Sequence, residues 1–180
     1  TQSLLDCYTI QQSIGEITGK RIIIVGDIKH SRVARSNIKA FTAMGAEVTL
    51  VAPRTLLPED TSAWPVAITP DLDTALSEAD VVYMLRMQLE RQREAFVPSL
   101  REYATDFGLT LERAGRLKEN AIIMHPGPMN RGIEIASDVP ELPNALVTNQ
   151  VANGVIVRMA VLYHLLGTGV ELIEEGEEHG

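Results

Sequence analysis

Short apolar runs alternate along this chain with segments whose apolar residues recur every three or four positions. The apolar runs predict strands at 22–25, 47–52, 81–85 and within 117–124, with a weaker strand at 66–68. An uninterrupted β-branched run such as 22–25 is typical of a strand that is covered on both faces.

Helical spacing marks the segments between these runs. Residues 3–14 predict a helix closed by Gly15, and Ser31 is well placed to cap a second helix. A third helix, which carries Leu72, Leu76 and Ala79, is expected with Asp71 or Asp73 as its cap.

The remaining segments differ in how clearly they predict a helix, a strand or a loop. Residues 151–166 predict the clearest helix, which Gly167 is expected to end, and residues 146–148 predict a short edge strand. Residues 55–64 indicate a loop or short helix, and residues 92–115 a long loop that passes into helix. One face of the helix predicted at 151–166 carries the apolar residues Val155, Met159, Leu162 and Leu166.

The alternation of strands with helices predicts the fold class. It favours an α/β fold with a doubly wound, Rossmann-like parallel sheet of about five strands and helices on both faces. One domain is expected over residues 1–170, followed by an acidic tail at 171–180.

Three of the predicted strands end in polar loops that carry the residues best suited to bind a ligand. Arg32 follows the first strand, Arg86 follows the fourth, and a His-Pro-Gly-Pro turn that begins at His125 follows the fifth. Ligands of open parallel sheets bind beyond the carboxyl ends of the strands, where the strand order reverses. Two arginine forks converging there predict a site for a small dicarboxylate, with Gln88 pointing the same way as Arg86.

Less specific interpretations of these residues stay open. An isolated arginine is usually a surface residue, and His125 alone is more typical of a structural histidine than of a general base. The two prolines fix the backbone of the turn, and the Gly127–Pro128 bond is a candidate for the cis form.

Composition excludes several classes of partner. The 180 residues carry a net charge of −8, which disfavours a nucleic acid or an anionic membrane, and no apolar stretch is long enough to span a bilayer. The four histidines lack metal-ligand spacing, so no metal site is expected. The lone Cys7 is expected to be a buried small hydrophobe and suits a reducing compartment.

Two further function classes remain as alternatives. A dinucleotide fingerprint needs three spaced glycines, but only Gly26 follows the first strand, so an NADP-dependent oxidoreductase is a minor possibility that Arg54 alone supports. A non-catalytic module that binds a dicarboxylate or an interaction partner is the stronger alternative.

Five segments together resemble the aspartate transcarbamoylases. They are Thr1-Gln2 with Leu4-Leu5-Asp6, Val25-Gly26-Asp27 to Ser36, Tyr83-Met84 to Arg91, His125 to Pro128, and Gln150 to Gly154. Ornithine transcarbamoylases typically have His-Cys-Leu-Pro in place of His-Pro-Gly-Pro, and a Ser-Met-Gly loop in place of Arg86-Met87-Gln88. The resemblance therefore favours aspartate over ornithine as the substrate.

The resemblance implies a role for each matched position. Arg32 and Arg86 would bind the two carboxylates of L-aspartate, with Gln88 assisting. The residues implied in binding carbamoyl phosphate are Gln2, Pro126, Gly127 and Pro128. The loop and supporting residues are Lys29, Glu102 and Tyr103, together with Glu90, which can pair with a neighbouring arginine.

The implied reaction is carbamoyl transfer from carbamoyl phosphate to L-aspartate in pyrimidine biosynthesis, without a metal or organic cofactor. The family's N-terminal carbamoyl-phosphate domain, with its Ser-Thr-Arg-Thr motif, is absent from these residues. The chain is therefore expected to be the aspartate-binding half and to be inactive alone. A cytoplasmic location, a homotrimer of catalytic chains, and regulatory or dihydroorotase partners are also implied.

Overall fold

Five strands form one parallel sheet in the computed structural model, which describes residues 1–88 and 99–177. Their order across the sheet is β3-β2-β1-β4-β5, and every neighbouring pair is parallel. The predicted fold class is confirmed. The strands are β1 (Arg21–Val25), β2 (Glu47–Val51), β3 (Ala67–Thr69), β4 (Val81–Met84) and β5 (Ile122–Met124).

Six α-helices accompany the sheet in the described part of the chain. They are α1 (Gln2–Ile14), α2 (Arg32–Ala43), α3 (Leu72–Glu78), α4 (Leu100–Phe107), α5 (Leu111–Ala114) and α6 (Val147–Glu177). Helix α1 packs between α2 and α6. The connection through α3 runs back across the sheet, so right-handed crossovers place α3 on the face opposite α2. Helices α3 and α5 are joined by an ion pair between Asp73 and Arg113, 3.0 Å apart.

Four of these helices begin with a side-chain cap, and the sequence predicted two of these caps. The Ser31 hydroxyl accepts a hydrogen bond from the Ala34 N–H at 3.1 Å, and Asp71, rather than Asp73, accepts one from the Thr74 N–H at 3.0 Å. Such caps satisfy backbone donors that the first turn of a helix leaves unpaired. The other two caps are Ser99 and Thr110.

The core lies on both faces of the two central strands. Residues 22–25 and 81–84 are buried, and the largest fully buried side chains include Phe41 and Tyr83. Their rings meet edge to face, with centroids 6.3 Å apart. The parallel register of β1 and β4 places a continuous apolar layer beneath their carboxyl ends.

Two predictions near α6 are wrong. Residues 146–148 are not a strand, because this segment has one isolated bridge to β5 in the described structure, between Ala145 and Ile123, and α6 begins at Val147. Gly167 does not end α6, which continues to Glu177. Glycine lowers helix propensity by only about 1 kcal/mol, and Gly167 does not adopt the left-handed conformation that terminates a helix.

The two segments predicted to be loop or short helix, and long loop passing into helix, both contain short helical elements. A 3₁₀ turn at Arg54–Leu56 begins the first of them. The second contains α4 and α5, separated at Gly108, while its first part falls within residues 89–98, outside the described residues.

Helix α6 has apolar side chains on its surface. Val155 is 56% exposed and Met159 65%, and Leu162 and Leu166 are exposed to a similar degree. Across the described residues, no helix is both long enough and apolar enough to cross a membrane.

Cys7 is buried, as predicted, and should be chemically inert in the folded chain. Burial, followed by the charge of Asp6, raises the pKa of its thiol to about 11. At pH 8 only about one molecule in a thousand would carry the reactive thiolate. We expect a disulfide reagent to modify the native chain far more slowly than the chain in denaturant. Equal rates in both conditions would contradict the placement of Cys7 in the core.

Candidate functional site

The strand order reverses between β1 and β4. From β1 the chain moves outward to β2 and β3, and then returns to place β4 on the other side of β1. Val25 and Met84, the last residues of these strands, are register partners. The loops that carry Arg32 and Arg86 therefore leave the sheet from adjacent strand ends, at the position where ligands of such sheets bind.

A buried carboxylate shapes the loop after β1. Asp27 is fully buried, and its Oδ1 accepts a hydrogen bond from the His30 N–H at 3.2 Å and lies 2.8 Å from His30 Nδ1. The loop then reaches Ser31, the cap of α2, and Arg32, the first residue of that helix. Arg32 is exposed at this edge of the sheet.

The loop after β4 is tied to the sheet and to the loop after β5. The Leu85 N–H donates to the Val25 carbonyl at 2.8 Å, which extends the pairing of β4 with β1 by one residue. The Asn130 side chain donates to the Met87 carbonyl at 2.8 Å. Arg86 and Gln88, on either side of the buried Met87, are both partly buried. Their backbone is thus held in place by two neighbouring elements.

His125 is structural, in line with the less specific interpretation. It is buried, and its Nδ1 accepts a hydrogen bond from the Gly127 N–H at 2.9 Å. Since Nδ1 is an acceptor, the ring proton lies on Nε2, which is 3.2 Å from the buried Glu134 carboxylate. These contacts hold the turn, in which the Gly127–Pro128 bond is cis, as predicted.

Gln2 lies beside this turn. Together with Leu5, His125, Pro126 and Gly127 it lines a small cavity of about 140 Å³ that reaches Gln150 and Arg158. Three of the four residues implied in binding carbamoyl phosphate therefore share one cavity, and Pro128 is exposed next to it.

The predicted supporting residues occupy different positions. Glu102 and Tyr103 both lie in α4, where Glu102 is exposed and Tyr103 is buried. Lys29 is partly buried, and its N–H donates to the Leu56 carbonyl at 2.8 Å. Glu90 falls outside the described residues.

Tyr103 reaches the carboxyl edge of the sheet from α4. A Cβ added to Gly26 would stand 3.0 Å from its hydroxyl. Burial, and then the charges of Glu134 and Asp27, raise the pKa of Tyr103. Its hydroxyl makes no hydrogen bond to any described residue. Tyr103 thus places a neutral phenol against the first loop, within the influence of two buried carboxylates.

A third buried carboxylate, that of Asp6, joins the site to the body of the domain, although nothing in the sequence assigned it a role. Its oxygens accept hydrogen bonds from four side chains on four elements, and burial raises the pKa of Asp6 while these donors oppose the rise. Its only signal in the sequence is a charged residue between Leu5 and Cys7, on the apolar side of α1. Other contributors that sequence reasoning missed are Asp27, Asn130 and Glu134.

Within the described ranges, no three His, Cys, Asp or Glu side chains are grouped closely enough to hold a metal ion.

Comparison with known proteins places the chain in a family. Residues 18–165 match the family model described as aspartate/ornithine carbamoyltransferase, Asp/Orn binding domain. The fold and the loops at its carboxyl edge define the same kind of domain, and the chain belongs to this family. The match covers all five strands and the loops that follow them, whereas α1 (Gln2–Ile14) lies outside it.

Relatives of high identity are aspartate carbamoyltransferase catalytic subunits. The protein of Acidothermus cellulolyticus is 56% identical over 169 residues, and that of Thermobifida fusca 55% over 170 residues; each alignment covers 94% of this chain. It covers 52% and 54% of the relatives, respectively, so the chain spans about half their length.

Solved structures agree with this assignment. Aspartate transcarbamoylase of Trypanosoma cruzi in complex with N-(phosphonacetyl)-L-aspartic acid superposes with a TM-score of 0.78 at 32% identity, over 90% of this chain and 54% of that one. Ornithine carbamoyltransferase of Pyrococcus furiosus superposes with a TM-score of 0.76 at 27% identity, over 90% and 54%. The shared fold therefore does not by itself separate the two substrates.

Gly26 should be more sensitive to substitution than Gly15, whose φ is also positive. Gly15 and Gly26 both have positive φ, at 79° and 120°, so Gly→Ala strains either backbone by about 1–3 kcal/mol. The added methyl group meets nothing within 4 Å at Gly15, but meets the Tyr103 hydroxyl at Gly26. We expect Gly26→Ala to lower the free energy of unfolding, measured in urea, by more than Gly15→Ala.

Removal of the hydroxyl should then recover part of that loss. In a Tyr103→Phe background, the penalty of Gly26→Ala should shrink toward that of Gly15→Ala. An unchanged penalty would show that Tyr103 does not pack against Gly26 as described.

Proposed function

We propose that this chain is the aspartate-binding half of an aspartate carbamoyltransferase. The reaction transfers the carbamoyl group of carbamoyl phosphate to the α-amino group of L-aspartate and gives N-carbamoyl-L-aspartate and phosphate, in de novo pyrimidine biosynthesis. The observation that carries the proposal is the placement of Arg32 and Arg86 after adjacent strands at the switch point of the sheet. Residues 1–170 would form the binding domain, and residues 171–180 an acidic tail.

The two arginines suit a dicarboxylate substrate. Each guanidinium can form two parallel hydrogen bonds with one carboxylate, and Gln88 can donate to or accept from the same molecule. The cationic side chain of ornithine would instead meet the positive charge of Arg86. The relatives named aspartate carbamoyltransferase, at more than half identity, support the same choice.

Carbamoyl phosphate would bind beside the turn at His125–Pro128. The backbone of Pro126, Gly127 and Pro128 offers carbonyl oxygens and few donors, which suits the N–H groups of the carbamoyl amine and of the attacking amine. Gln2 contributes a side-chain amide to the same cavity. An aspartate transcarbamoylase of Trypanosoma cruzi has been solved with carbamoyl phosphate and aspartate together.

The chemistry needs orientation more than it needs a reactive side chain. The deprotonated amine of aspartate attacks the carbonyl carbon, and the C–N bond forms as the carbonyl becomes a tetrahedral oxyanion. Collapse of this intermediate breaks the C–O bond to phosphate, which leaves with the bonding electron pair and takes up the proton that the amine loses. Alignment of the two substrates and preorganised donors near the oxyanion would supply most of the rate.

The carbamoyl-phosphate domain of the enzyme would lie outside these residues. The relatives are about twice as long as this chain, and an apolar surface on α6 is exposed around Val155, Met159 and Leu162. Exposed apolar patches mark interaction sites, so this surface suits the N-terminal carbamoyl-phosphate domain. A homotrimer of catalytic chains in the cytoplasm, with regulatory or dihydroorotase subunits as further partners, completes the proposal. The buried free thiol of Cys7 agrees with a reducing compartment.

Joining the two halves tests the proposal directly. This chain should form no carbamoyl-aspartate alone. It should become active when it replaces the matched half of the Thermobifida fusca catalytic subunit, to give a fusion protein with both domains. Product formation is measured by mass spectrometry, with the isolated Thermobifida N-terminal half as the control. A folded fusion that binds aspartate without turnover would favour the binding-module alternative.

Arg86→Lys should weaken aspartate binding by the fusion by at least about tenfold, because an ammonium group cannot replace the two-pronged guanidinium. The KM for aspartate is the measurement, and Arg116→Lys, an exposed arginine paired with Glu112 on α5, is the matched control that should leave it unchanged. A normal KM in Arg86→Lys would remove Arg86 from the site.

A further inference from the structure

The carboxylate of Asp6 is fully buried in the first helix and accepts four hydrogen bonds. Its Oδ1 accepts from the Nε2 atoms of Gln2 at 3.0 Å and Gln150 at 2.8 Å. Its Oδ2 accepts from Asn37 Nδ2 at 2.9 Å and the Tyr83 hydroxyl at 2.7 Å. Oδ1 thus binds residues beside the candidate site, and Oδ2 binds residues of the core.

The orientation of the Gln150 amide follows from its two partners. The His125 backbone N–H can only donate, and it donates to Gln150 Oε1 at 2.9 Å. Nε2 must then face the other partner, which has to be an acceptor, and Asp6 Oδ1 is that acceptor. The carboxylate therefore holds the first peptide of the His-Pro-Gly-Pro turn through a single side chain.

The same oxygen orients Gln2. Because Nε2 of Gln2 is turned toward Asp6, the amide oxygen is the end left to meet a ligand in the cavity that Gln2 lines. A carbonyl oxygen accepts from an NH₂ group and offers nothing to a methyl group. The orientation of this amide thus determines which acyl group fits.

We propose that Asp6 is a positioning residue that selects a carbamoyl over an acetyl group, by turning the Gln2 oxygen into the cavity and fixing the turn through Gln150. The inference rests on the proposed function, since it assigns the acyl donor to this cavity. A site built to accept a hydrogen bond rejects an analogue that lacks the donor, because its buried acceptor would be left unpaired. Acetyl phosphate, in which a methyl group replaces the NH₂ group, is that analogue.

The first experiment compares two donors in the fusion protein. Asp6→Ala should lower the ratio of kcat/KM for carbamoyl phosphate to that for acetyl phosphate by at least about tenfold. Tyr83→Phe is the matched control, because it removes a hydrogen bond to the same carboxylate but leaves Oδ1 with Gln2 and Gln150. The control should keep the ratio of the unmodified fusion. An unchanged ratio in Asp6→Ala, or an equal fall in the control, would overturn the proposal.

The second experiment does not depend on activity. In this chain alone, Asp6→Ala should free Gln150 and speed amide hydrogen exchange at His125 by about tenfold relative to the Tyr83→Phe variant. Equal protection of His125 in the two variants would overturn the proposal. If the unmodified fusion made no carbamoyl-aspartate, the proposed function would fail, and this measurement would still decide the role of Asp6.

A third variant covers the case in which Asp6→Ala does not fold. Asp6→Asn leaves one oxygen, which can face either pair of donors. Since Gln2 and Gln150 share one oxygen, donor selectivity and protection at His125 should be retained together or lost together. Loss of one without the other would contradict the shared carboxylate.

Discussion

A buried carboxylate with four donors connects the fold of this chain to its candidate site. The donors to Asp6 come from α1, α2, β4 and α6, and two of them lie 77 and 144 residues away in sequence. A charge buried without partners is strongly unfavourable, so the carboxylate is tolerated only where all these elements are assembled around it. Correct packing and correct orientation of Gln2 and the His125 peptide are therefore achieved together.

The sheet supplies the rest of the site through its topology. Parallel strands end at the same edge, and the reversal of order at β1 places two loops with arginines at adjacent strand ends. The loops themselves are held by polar side chains. The buried Asp27 fixes the first loop, the buried Glu134 fixes the turn after β5, and the partly buried Asn130 fixes the segment after β4. Positioning thus depends on side chains that would not touch the substrate.

The strands and most helices were predictable because their signals are local. A β-branched run marks β1, and a serine or aspartate before an apolar stripe marks the starts of α2 and α3. The errors arose where a local signal is ambiguous. The short run Leu146-Val147-Thr148 fits a strand or the first turn of a helix equally well. A glycine such as Gly167 interrupts a helix only when its backbone turns left-handed.

The candidate site likewise has features that local sequence signals predict and features that only the folded chain creates. Arg32 and the cis bond at Gly127–Pro128 could be located from strand ends and turn chemistry alone. The hydrogen bonds of Asp6 could not, because each joins residues whose proximity is set by the folded chain. The burial of Tyr103 was missed for the same reason, since α4 brings it back to the first loop from far along the sequence.

The substrate selected by the completed enzyme tests the central claim most directly. The fusion protein is given carbamoyl phosphate with equal concentrations of L-aspartate and L-ornithine, and both products are quantified. Two arginines at the carboxyl edge predict N-carbamoyl-L-aspartate almost exclusively. Carbamoylation of ornithine at an equal or greater rate would contradict the assignment of this edge as a dicarboxylate site.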